Sequence, residues 1–435
     1  MALIYLYVFS VYLISNNAFF KVFSSIGLGS MLSAVMFFCW TINGLLKGGM
    51  LVLKRHPGQA ILAGMFVSAF LSVLISKIDP SKAVPLEVFS YDWVKGLNAP
   101  ELRGWVFLAR FFLAVFSIQF LISWVKTPDR FLKVSRLIIF LHSVLCVYLT
   151  AQIILKVFFH IDIGYTFPLV GGFGFRIGGY VGEPGTLSVL LVCGYFLVFS
   201  ALRHAVPNLG YKRWFLFFIF ALSNVCLFFT FSTAFIIGVY GSLMVCLNTK
   251  NHRKKLLVFL FMMLIFGGLF VDLIQQVIIG KVRGEVFSLG YRSVTWIAGL
   301  KMLLENPLFG VGLGQAPFLM GAYAPSAIIA ELLLGYKTVR VPPMNMYIEW
   351  AAETGLIGLA LLVGLMVRIY LAARAAGREG VDILRFSNTA YGGALFAYLI
   401  GFNAGPGNMY IGMFHLTLAM CIAGLNIFRE SQTQG

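Results

Sequence analysis

Apolar runs long enough to cross a lipid bilayer recur along the chain, and no other feature limits its fold as strongly. A helix needs about 20 mostly apolar residues to span a hydrocarbon core of about 30 Å. Runs that reach or approach this length begin near Leu3, Gly27, Gln59, Gly104, Leu137, Thr186, Trp214, Phe231, Leu256, Met344, Phe386 and Asn408. We therefore predict an all-α, polytopic integral membrane protein, a single domain over residues 1–435 with about twelve transmembrane helices. The run at 231–247 is short, which leaves eleven open.

Charge orients these predicted helices. Every second connection between spans lies on the same side of the membrane, so only two orientations exist. One of them assigns to the cytoplasm the connections 47–57, 126–136, 203–213, 249–255, 368–385 and the tail after residue 428. They hold 19 of the 33 basic residues and only 4 of the 16 acidic ones, which is nearly all of the net charge of +17. The positive-inside rule selects this orientation and predicts that both termini are cytoplasmic. The positive charge then reflects topology and attraction to anionic lipid, and nucleic acid is not an expected partner.

The longest predicted outer connection runs from Gly280 to Pro343. Loops of this length are usually functional. Within it, the stretch YRSVTWIAGLKMLLENP predicts an amphipathic helix, which we expect to lie along the membrane surface. The following stretch NPLFGVGLG indicates a turn and a glycine-rich stop. We predict a long periplasmic loop with an interfacial helix over residues 280–343.

Polar side chains that could act on a substrate gather on this predicted outer face. They are Arg176, Glu183, Arg283, Arg292, Lys337, Arg340, Asn345, Glu349 and Glu353. The last three recur every four residues, so they share one helix face, and carboxylates at membrane depth usually face a bundle interior. Arginine presents paired donors that match phosphate oxygens, and a spare carboxylate can remove a proton from a hydroxyl. The pattern predicts a diphosphate clamp beside a general base.

Structural interpretations of the same residues stay open. Arg176 and Glu183 could form an ion pair that orders their loop, and Arg292 could anchor a surface helix at lipid head groups. Glu353 could link two helices. The six cysteines and six histidines are scattered without metal-ligand spacing, so we expect neither a metal nor a cofactor.

Three stretches resemble a known superfamily. FRIGGYVGEPGTLSVLL, from Phe175, resembles the arginine, glycine and Glu-Pro stretch of Wzy-type polysaccharide polymerases. YRSVTWIAGLKMLLENPLFGVGLG, from Tyr291, is similar to a segment of the O-antigen polymerase and ligase superfamily. MNMYIEWAAETGLIGL, from Met344, resembles a third segment of that superfamily. The resemblance covers about residues 176–360.

The resemblance implies a membrane glycosyltransferase of the GT-C type in the bacterial inner membrane. Its donor and acceptor would be undecaprenyl-diphosphate-linked oligosaccharides at the periplasmic face, and no cofactor would be needed. Arg176 and Glu183 would be the catalytic pair, and Arg292 would match the arginine that opens the second segment. Membrane lipids and a chain-length regulator protein would be further partners.

Departures from the superfamily pattern favour a polymerase over a ligase. Family ligases carry a histidine just before the asparagine of the third segment, and here that position is Met344. Ala234 stands where many relatives have an arginine, so one diphosphate contact is expected from Arg283 or Arg340 instead. An O-antigen ligase, a transporter or flippase, and a non-catalytic assembly subunit remain the alternatives. A single displacement would invert the anomeric configuration and a double displacement would retain it.

Overall fold

The described part of the chain is almost entirely helical. The computed structural model describes residues 2–13, 32–38, 41, 58–75, 100–168, 175–180, 184–204, 209–246, 287–323, 343, 345–378, 382–402 and 412–433. Helices make up 85% of them, which confirms the helical class. The main helices are α1 (Ala2–Leu13), α2 (Gln59–Ile75), α3 (Pro100–Trp124), α4 (Pro128–Phe159), α5 (Pro184–Arg203), α6 (Arg213–Phe229), α7 (Thr233–Cys246), α8 (Phe287–Glu305), α9 (Ala316–Tyr323), α10 (Met346–Ala376), α11 (Asp382–Ser387), α12 (Gly393–Gly401) and α13 (Gly412–Thr433).

Several of these helices are built to cross a membrane. Four of the described segments are long and apolar enough: Gly104–Trp124, Pro128–Phe159, Pro184–Arg203 and Met346–Ala376. Shorter apolar helices lie in α1, α2, α6, α7 and α13. The span predicted from Leu256 lies outside the described residues, and the total of twelve stays a prediction.

The outer surface of α4 has the character of a lipid-facing surface. Its exposed apolar side chains include Phe140, Val144, Val147 and Ile154, whose spacing puts them on one face. Apolar patches of this kind are rare on soluble monomers, because they gain nothing from contact with water. Together with the helix lengths, this stripe is the pattern of a multi-pass membrane protein.

Helix α5 lies at the centre of the bundle, with nearly every side chain from Pro184 to Val198 buried. It packs against α4, α6, α7 and α12. Helices α7 and α12 approach each other closely because small residues meet between them. A Cβ added at Gly238 would lie 2.5 Å from the carbonyl oxygen of Ala397, and such close contacts are typical of helix packing in membranes.

A β-hairpin that the sequence analysis does not predict interrupts the helices. Strand β1 (Tyr165–Pro168) pairs antiparallel with β2 (Phe175–Gly179). Aromatic and β-branched residues alternate in this segment, and such residues favour strands. The glycine-rich stretch that begins at Arg176 therefore starts as a strand. It ends at Gly179, whose φ of +57° suits glycine.

The hairpin is fastened to the end of α4. Gln152 Nε2 donates a hydrogen bond of 3.0 Å to the Tyr165 carbonyl. Lys156 Nζ lies 2.6 Å from a carboxylate oxygen of Asp162, and the hydroxyl of Thr166 donates to the same carboxylate at 2.7 Å. The hydrogen bond from Lys156, followed by that from Thr166, holds the pKa of Asp162 below its ordinary value. These contacts fix β1, and through it β2, at this end of the bundle.

The predicted helix in the long connection is present as α8, and it packs against α10. A Cβ at Gly299 would meet the side chain of Ile348, while Met302 packs with Ala352 further along both helices. The contact therefore advances in the same direction on both helices, so α8 and α10 run parallel. A position of α8 at the membrane surface stays a prediction.

Candidate functional site

The glycine-rich stretch after α8 is locked onto α10. Val311 N donates to the Ala352 carbonyl at 2.8 Å, and Leu356 N donates to the Pro307 carbonyl at 2.8 Å. Helix α10 is interrupted at Gly355, which has φ 73° and ψ −173°. The backbone groups of α10 beside this break can therefore form hydrogen bonds with the stretch after α8. We call residues 306–315 together with this break the glycine clasp.

Glycines are required on both sides of the clasp. Gly310, Gly312 and Gly314 all have φ between +70° and +113°, a region that other residues rarely adopt. A Cβ at Gly355 would lie 2.1 Å from the carbonyl oxygen of Leu308. The glycines of the second and third sequence segments therefore serve the same piece of local structure.

Glu353 holds the clasp with its side chain. Its carboxylate accepts hydrogen bonds from the backbone N–H groups of Gly314 and Ala316, the latter being the first residue of α9. A carboxylate at a helix N-terminus satisfies N–H groups that have no partner inside the helix. The main-chain oxygen of Glu353 is also used, since it accepts hydrogen bonds from Ser72 Oγ and Gly312 N. Glu353 is 4% exposed, and its contacts are structural.

Asn345 also has a structural task. It is the N-cap of α10, and its Oδ1 accepts hydrogen bonds from Tyr347 N at 3.0 Å and Ile348 N at 3.2 Å. Asparagine is among the preferred N-cap residues because its side chain satisfies the first N–H groups of the helix. Asn345, Glu349 and Glu353, which the sequence predicts on one face, are all buried.

Glu349 differs from the other two residues of this face. It is 9% exposed, and its Oε2 has no hydrogen-bond partner among the described residues. Burying an unpartnered carboxylate oxygen costs free energy. Glu349 also lies one turn from Glu353, whose Oε1 is likewise buried without a partner among the described residues. A ligand that donates hydrogen bonds would complete this pair.

Arg292 lies near the N-terminal end of the same helix pair. It precedes Gly299 of α8 by seven residues, which is about 10 Å along the helix axis. Because Gly299 is level with Ile348, Arg292 is beyond the Asn345 cap, and helical side chains lean further toward the N-terminus. The register separates Arg292 from Glu353 by about 18 Å along the axis. The two residues therefore lie at different depths of the same helix pair.

Arg176 is positioned by the turn between α6 and α7. It is half-buried on β2, and its Nε donates a hydrogen bond of 3.0 Å to the carbonyl of Thr230. Thr230 is itself held, because its hydroxyl accepts from Ser188 at 2.9 Å and donates to the Leu227 carbonyl at 2.7 Å. The next residue, Phe231, has φ 47°, which is unusual for a residue with a bulky side chain.

A chain of contacts shows that Arg176 and Asn345 lie at the same end of the bundle. Phe235, one turn after the Thr230 turn, packs edge-on against Phe402 with ring centroids 5.8 Å apart. The Phe402 carbonyl accepts a hydrogen bond of 3.1 Å from Met346 N, next to Asn345. The predicted outer-face residues that the structure describes are thus gathered at one end.

The other predicted site residues lie outside the described part of the chain. They are Glu183, Arg283, Lys337 and Arg340, and Met344, where family ligases have a histidine, also lies outside it. The structure therefore leaves the predicted pairing of Arg176 with Glu183 as a prediction.

Thr230 and Ser72 were missed as contributors to this end of the molecule. The Thr230 carbonyl accepts a hydrogen bond from Arg176, and Ser72 Oγ donates one to the Glu353 carbonyl. Hydroxyl residues are common inside membrane helices, so neither stands out in the sequence. The only available signal for Thr230 was its place in the short polar break FTFST between two apolar runs.

These features define a class of protein: a helical membrane protein with a group of polar residues at one end of its bundle. Residues 215–363, from α6 into α10, match the model of a protein family described as O-antigen ligase. This match confirms the resemblance to the O-antigen polymerase and ligase superfamily that is seen in the sequence. A search of curated proteins finds no significant match.

Proposed function

We propose that the protein is a polysaccharide polymerase that joins undecaprenyl-diphosphate-linked oligosaccharide repeat units. The observation that carries the proposal is the family match over residues 215–363, which includes the helix with Glu349 and Glu353. In this proposal the protein lies in the bacterial inner membrane with both termini in the cytoplasm. The end of the bundle with Arg176 and Asn345 then faces the periplasm.

The proposed donor is the growing chain on its undecaprenyl diphosphate. Arg176 would bind the diphosphate, since its Nε bond to the Thr230 carbonyl fixes the guanidinium group. Arg292, Arg283, Lys337 and Arg340 would add positive charge around the leaving group, where it accumulates in the transition state.

The proposed acceptor is the terminal sugar of an incoming repeat unit. One of its hydroxyl oxygens attacks the anomeric carbon of the donor chain, and the bond from that carbon to the diphosphate oxygen breaks. Glu183 accepts the hydroxyl proton, and undecaprenyl diphosphate leaves with the electron pair. Other sugar hydroxyls donate hydrogen bonds to the buried carboxylate of Glu349, which lacks a partner for its Oε2 among the described residues.

Polymerase is preferred over ligase because of Met344. The thioether of methionine cannot accept a proton, and family ligases resemble one another in placing a histidine at this position. We therefore expect Met344→Ala to retain chain extension, since the side chain has no chemical step to perform.

The test is transfer by the purified protein in liposomes that contain one lipid-linked repeat unit. A ladder of products on a gel is expected for a polymerase. Transfer of a single chain to an added lipid A core acceptor would identify a ligase instead. Accumulation of precursor on the inner leaflet of cells that lack the gene would overturn the enzyme proposal and favour a flippase.

Variants of Arg176 and Glu183 sharpen this test. Glu183→Gln keeps the size of the side chain but cannot take up the proton, so the rate should fall by about 10²–10⁴-fold. Arg176→Ala should abolish the ladder, and Arg176→Lys should restore part of it because a point charge cannot make two parallel bonds. Arg213→Ala is the matched control, since Arg213 is exposed at the start of α6, a helix length from Thr230. Full activity of Arg176→Ala would remove this residue from the site.

A further inference from the structure

A second polar site lies at the opposite end of the bundle. Arg203 ends α5, so it is a 20-residue helix away from the Arg176 hairpin, about 30 Å. Here a cavity of about 420 Å³ opens between α5, α7, α10 and the segment 382–393. Its size is within the range of small-ligand sites, which is about 300–1,000 Å³.

Four arginines from three separate elements converge on this cavity. Arg203 comes from α5, Arg374 and Arg378 from the end of α10, and Arg385 from α11. None of the described lining residues carries a carboxylate. The nearest carboxylate that the structure places against them is that of the exposed Asp382, 3.8 Å from Arg385 Nη1. The described lining is therefore strongly positive.

A π-helix forms one wall of the cavity. Residues Asn388–Gly392 adopt this wider turn between α11 and α12. π-helical turns are rare and occur often at functional sites. The side chain of Asn388 fits against two glycines, since a Cβ at Gly377 would lie 2.6 Å from its Nδ2 and a Cβ at Gly392 would lie 2.9 Å from its Oδ1. The irregular turn thus positions an amide at the cavity wall.

A neutral histidine adds a further polar group. His204 Nε2 lies 3.0 Å from the hydroxyl of Thr389, and both residues line the cavity. Burial, followed by the charges of Arg203 and Arg385, lowers the pKa of His204 below its ordinary value. His204 therefore contributes hydrogen bonding at neutral pH, and an anion would relieve the crowding of positive charge around it.

We propose that this cavity binds the phosphate group of a ligand at the end of the bundle opposite Arg176. Arginine is suited to phosphate because its planar fork makes two parallel hydrogen bonds. Amide and hydroxyl groups at the wall can complete the shell around the remaining oxygens. The phosphate belongs to an anionic lipid head group or to a soluble phosphorylated compound.

Diffuse attraction to anionic lipid is the competing explanation of these arginines, since cytoplasmic loops are rich in arginine and lysine. Diffuse attraction would act on any exposed arginine near this end of the bundle. It requires neither a concave site nor three elements that converge on it. Arg368 of α10 separates the two explanations, because it is exposed on the same helix but does not line the cavity.

The experiment measures binding of inorganic diphosphate to the full-length protein in nanodiscs of phosphatidylcholine. In a second arm, bound phosphatidylglycerol is counted by native mass spectrometry after purification from vesicles with one-fifth phosphatidylglycerol. The variants are Arg374→Gln with Arg385→Gln, and Arg368→Gln as the matched control. The double variant should weaken binding at least about tenfold, since one charged hydrogen bond is commonly worth that much. Arg374→Lys with Arg385→Lys should recover part of the binding.

The two arms identify the source of the phosphate. Saturable binding of diphosphate that the double variant loses supports a soluble ligand, and retention of phosphatidylglycerol that the double variant loses supports a lipid. Absence of saturable binding in both arms would overturn the proposal. An equal loss in Arg368→Gln would also overturn it, because the effect would then be one of general charge. Neither arm measures glycan transfer, and because Arg176 is proposed to bind a diphosphate as well, only binding that the double variant loses is assigned to this cavity. Saturable binding that the double variant retains in full would overturn the proposal.

Discussion

Two glutamates one turn apart on α10 have different tasks. The carboxylate of Glu353 is occupied by the N–H groups of Gly314 and Ala316, which tie the long connection to the bundle. Glu349 is equally buried, but its Oε2 has no partner among the described residues. A structural role accounts for the bonded oxygen of Glu353, whereas Glu353 Oε1 and Glu349 Oε2 are left for a ligand.

Glu353→Ala should therefore destabilise the protein. The substitution leaves the N–H groups of Gly314 and Ala316 without their acceptor, and a buried unsatisfied group costs about 1–3 kcal/mol. The melting temperature of the protein in detergent is expected to fall. Glu305→Ala is the matched control, because the Glu305 carboxylate accepts a hydrogen bond from Tyr323 at an exposed position and should matter little. Equal melting of both variants would contradict the structural role.

Glu349→Gln should instead preserve the stability of the protein and lower its activity. The amide keeps the volume of the side chain and removes the cost of a buried carboxylate, so the melting temperature should stay the same or rise. Product ladders should nevertheless form at least tenfold more slowly, which is the usual effect of losing one hydrogen bond to a charged group. Normal ladders from a stable Glu349→Gln protein would show that sugar hydroxyls do not need this carboxylate.

At the scale of elements, the glycine clasp explains why two distant glycine-rich stretches occur together. Gly355 breaks α10, and the stretch after α8 fills the break with hydrogen bonds of its own. Neither stretch could form this structure alone, because each supplies donors for the acceptors of the other.

Gly355→Ala should disrupt the clasp. Alanine is strained at φ 73°, and its Cβ would lie 2.1 Å from the Leu308 carbonyl oxygen, so backbone must move. We expect a loss of more than about 2 kcal/mol of unfolding free energy, together with loss of ladders. Gly364→Ala on the same helix is the control, since no atom lies within 4 Å of the added Cβ. It should be neutral or raise stability by up to about 1 kcal/mol. Equal behaviour of the two variants would refute the clasp.

The sequence predicted the regular parts of this region and missed the irregular ones. The four-residue spacing of Asn345, Glu349 and Glu353 predicted a shared face, because a regular helix has a fixed period. The break at Gly355 was not predicted, since a glycine in an apolar helix is also typical of close helix packing. Its true role depends on Leu308, 47 positions earlier, and such a partner is visible only in three dimensions.

The hairpin was missed for a related reason. Residues 165–179 lie between two long apolar runs, and the sequence analysis predicts no strand there. Strand pairing depends on contacts between residues that are far apart in the chain, so local patterns identify it poorly. The sequence indicates Arg176 as a candidate site residue but not its hydrogen-bond partner Thr230, which lies 54 positions later.

At the scale of the whole molecule, the two ends of the bundle have different polar character. One end carries Arg176, Asn345 and the buried carboxylates of α10, where a polymerase would require both a cation and a proton acceptor. The other end carries the arginine-lined cavity, with the arginines on the side that the positive-inside rule assigns to the cytoplasm. Their separation by about the thickness of a bilayer allows two phosphate-bearing ligands to bind at once.

This arrangement can be tested with cysteines at the two ends of α4. Helix α4 has 32 residues and is about 48 Å long, enough to cross a bilayer with residues to spare. Lys126 precedes its start and Ile161 follows its end, and both are exposed. In intact cells, a membrane-impermeant maleimide should label Ile161→Cys through the periplasm and leave Lys126→Cys unlabelled until the inner membrane is permeabilised.

The unmodified chain is the control for this labelling, because the cysteines that the structure describes are buried or half-buried. The positive-inside rule predicts the result, since the segment around Lys126 carries Arg130 and Lys133 on the side assigned to the cytoplasm. Labelling of Lys126→Cys in intact cells, with Ile161→Cys protected, would show that the molecule has the reverse orientation in the membrane. The hairpin with Arg176 would then face the cytoplasm, the arginine-lined cavity would face the periplasm, and polymerisation at the Arg176 end could not use periplasmic repeat units.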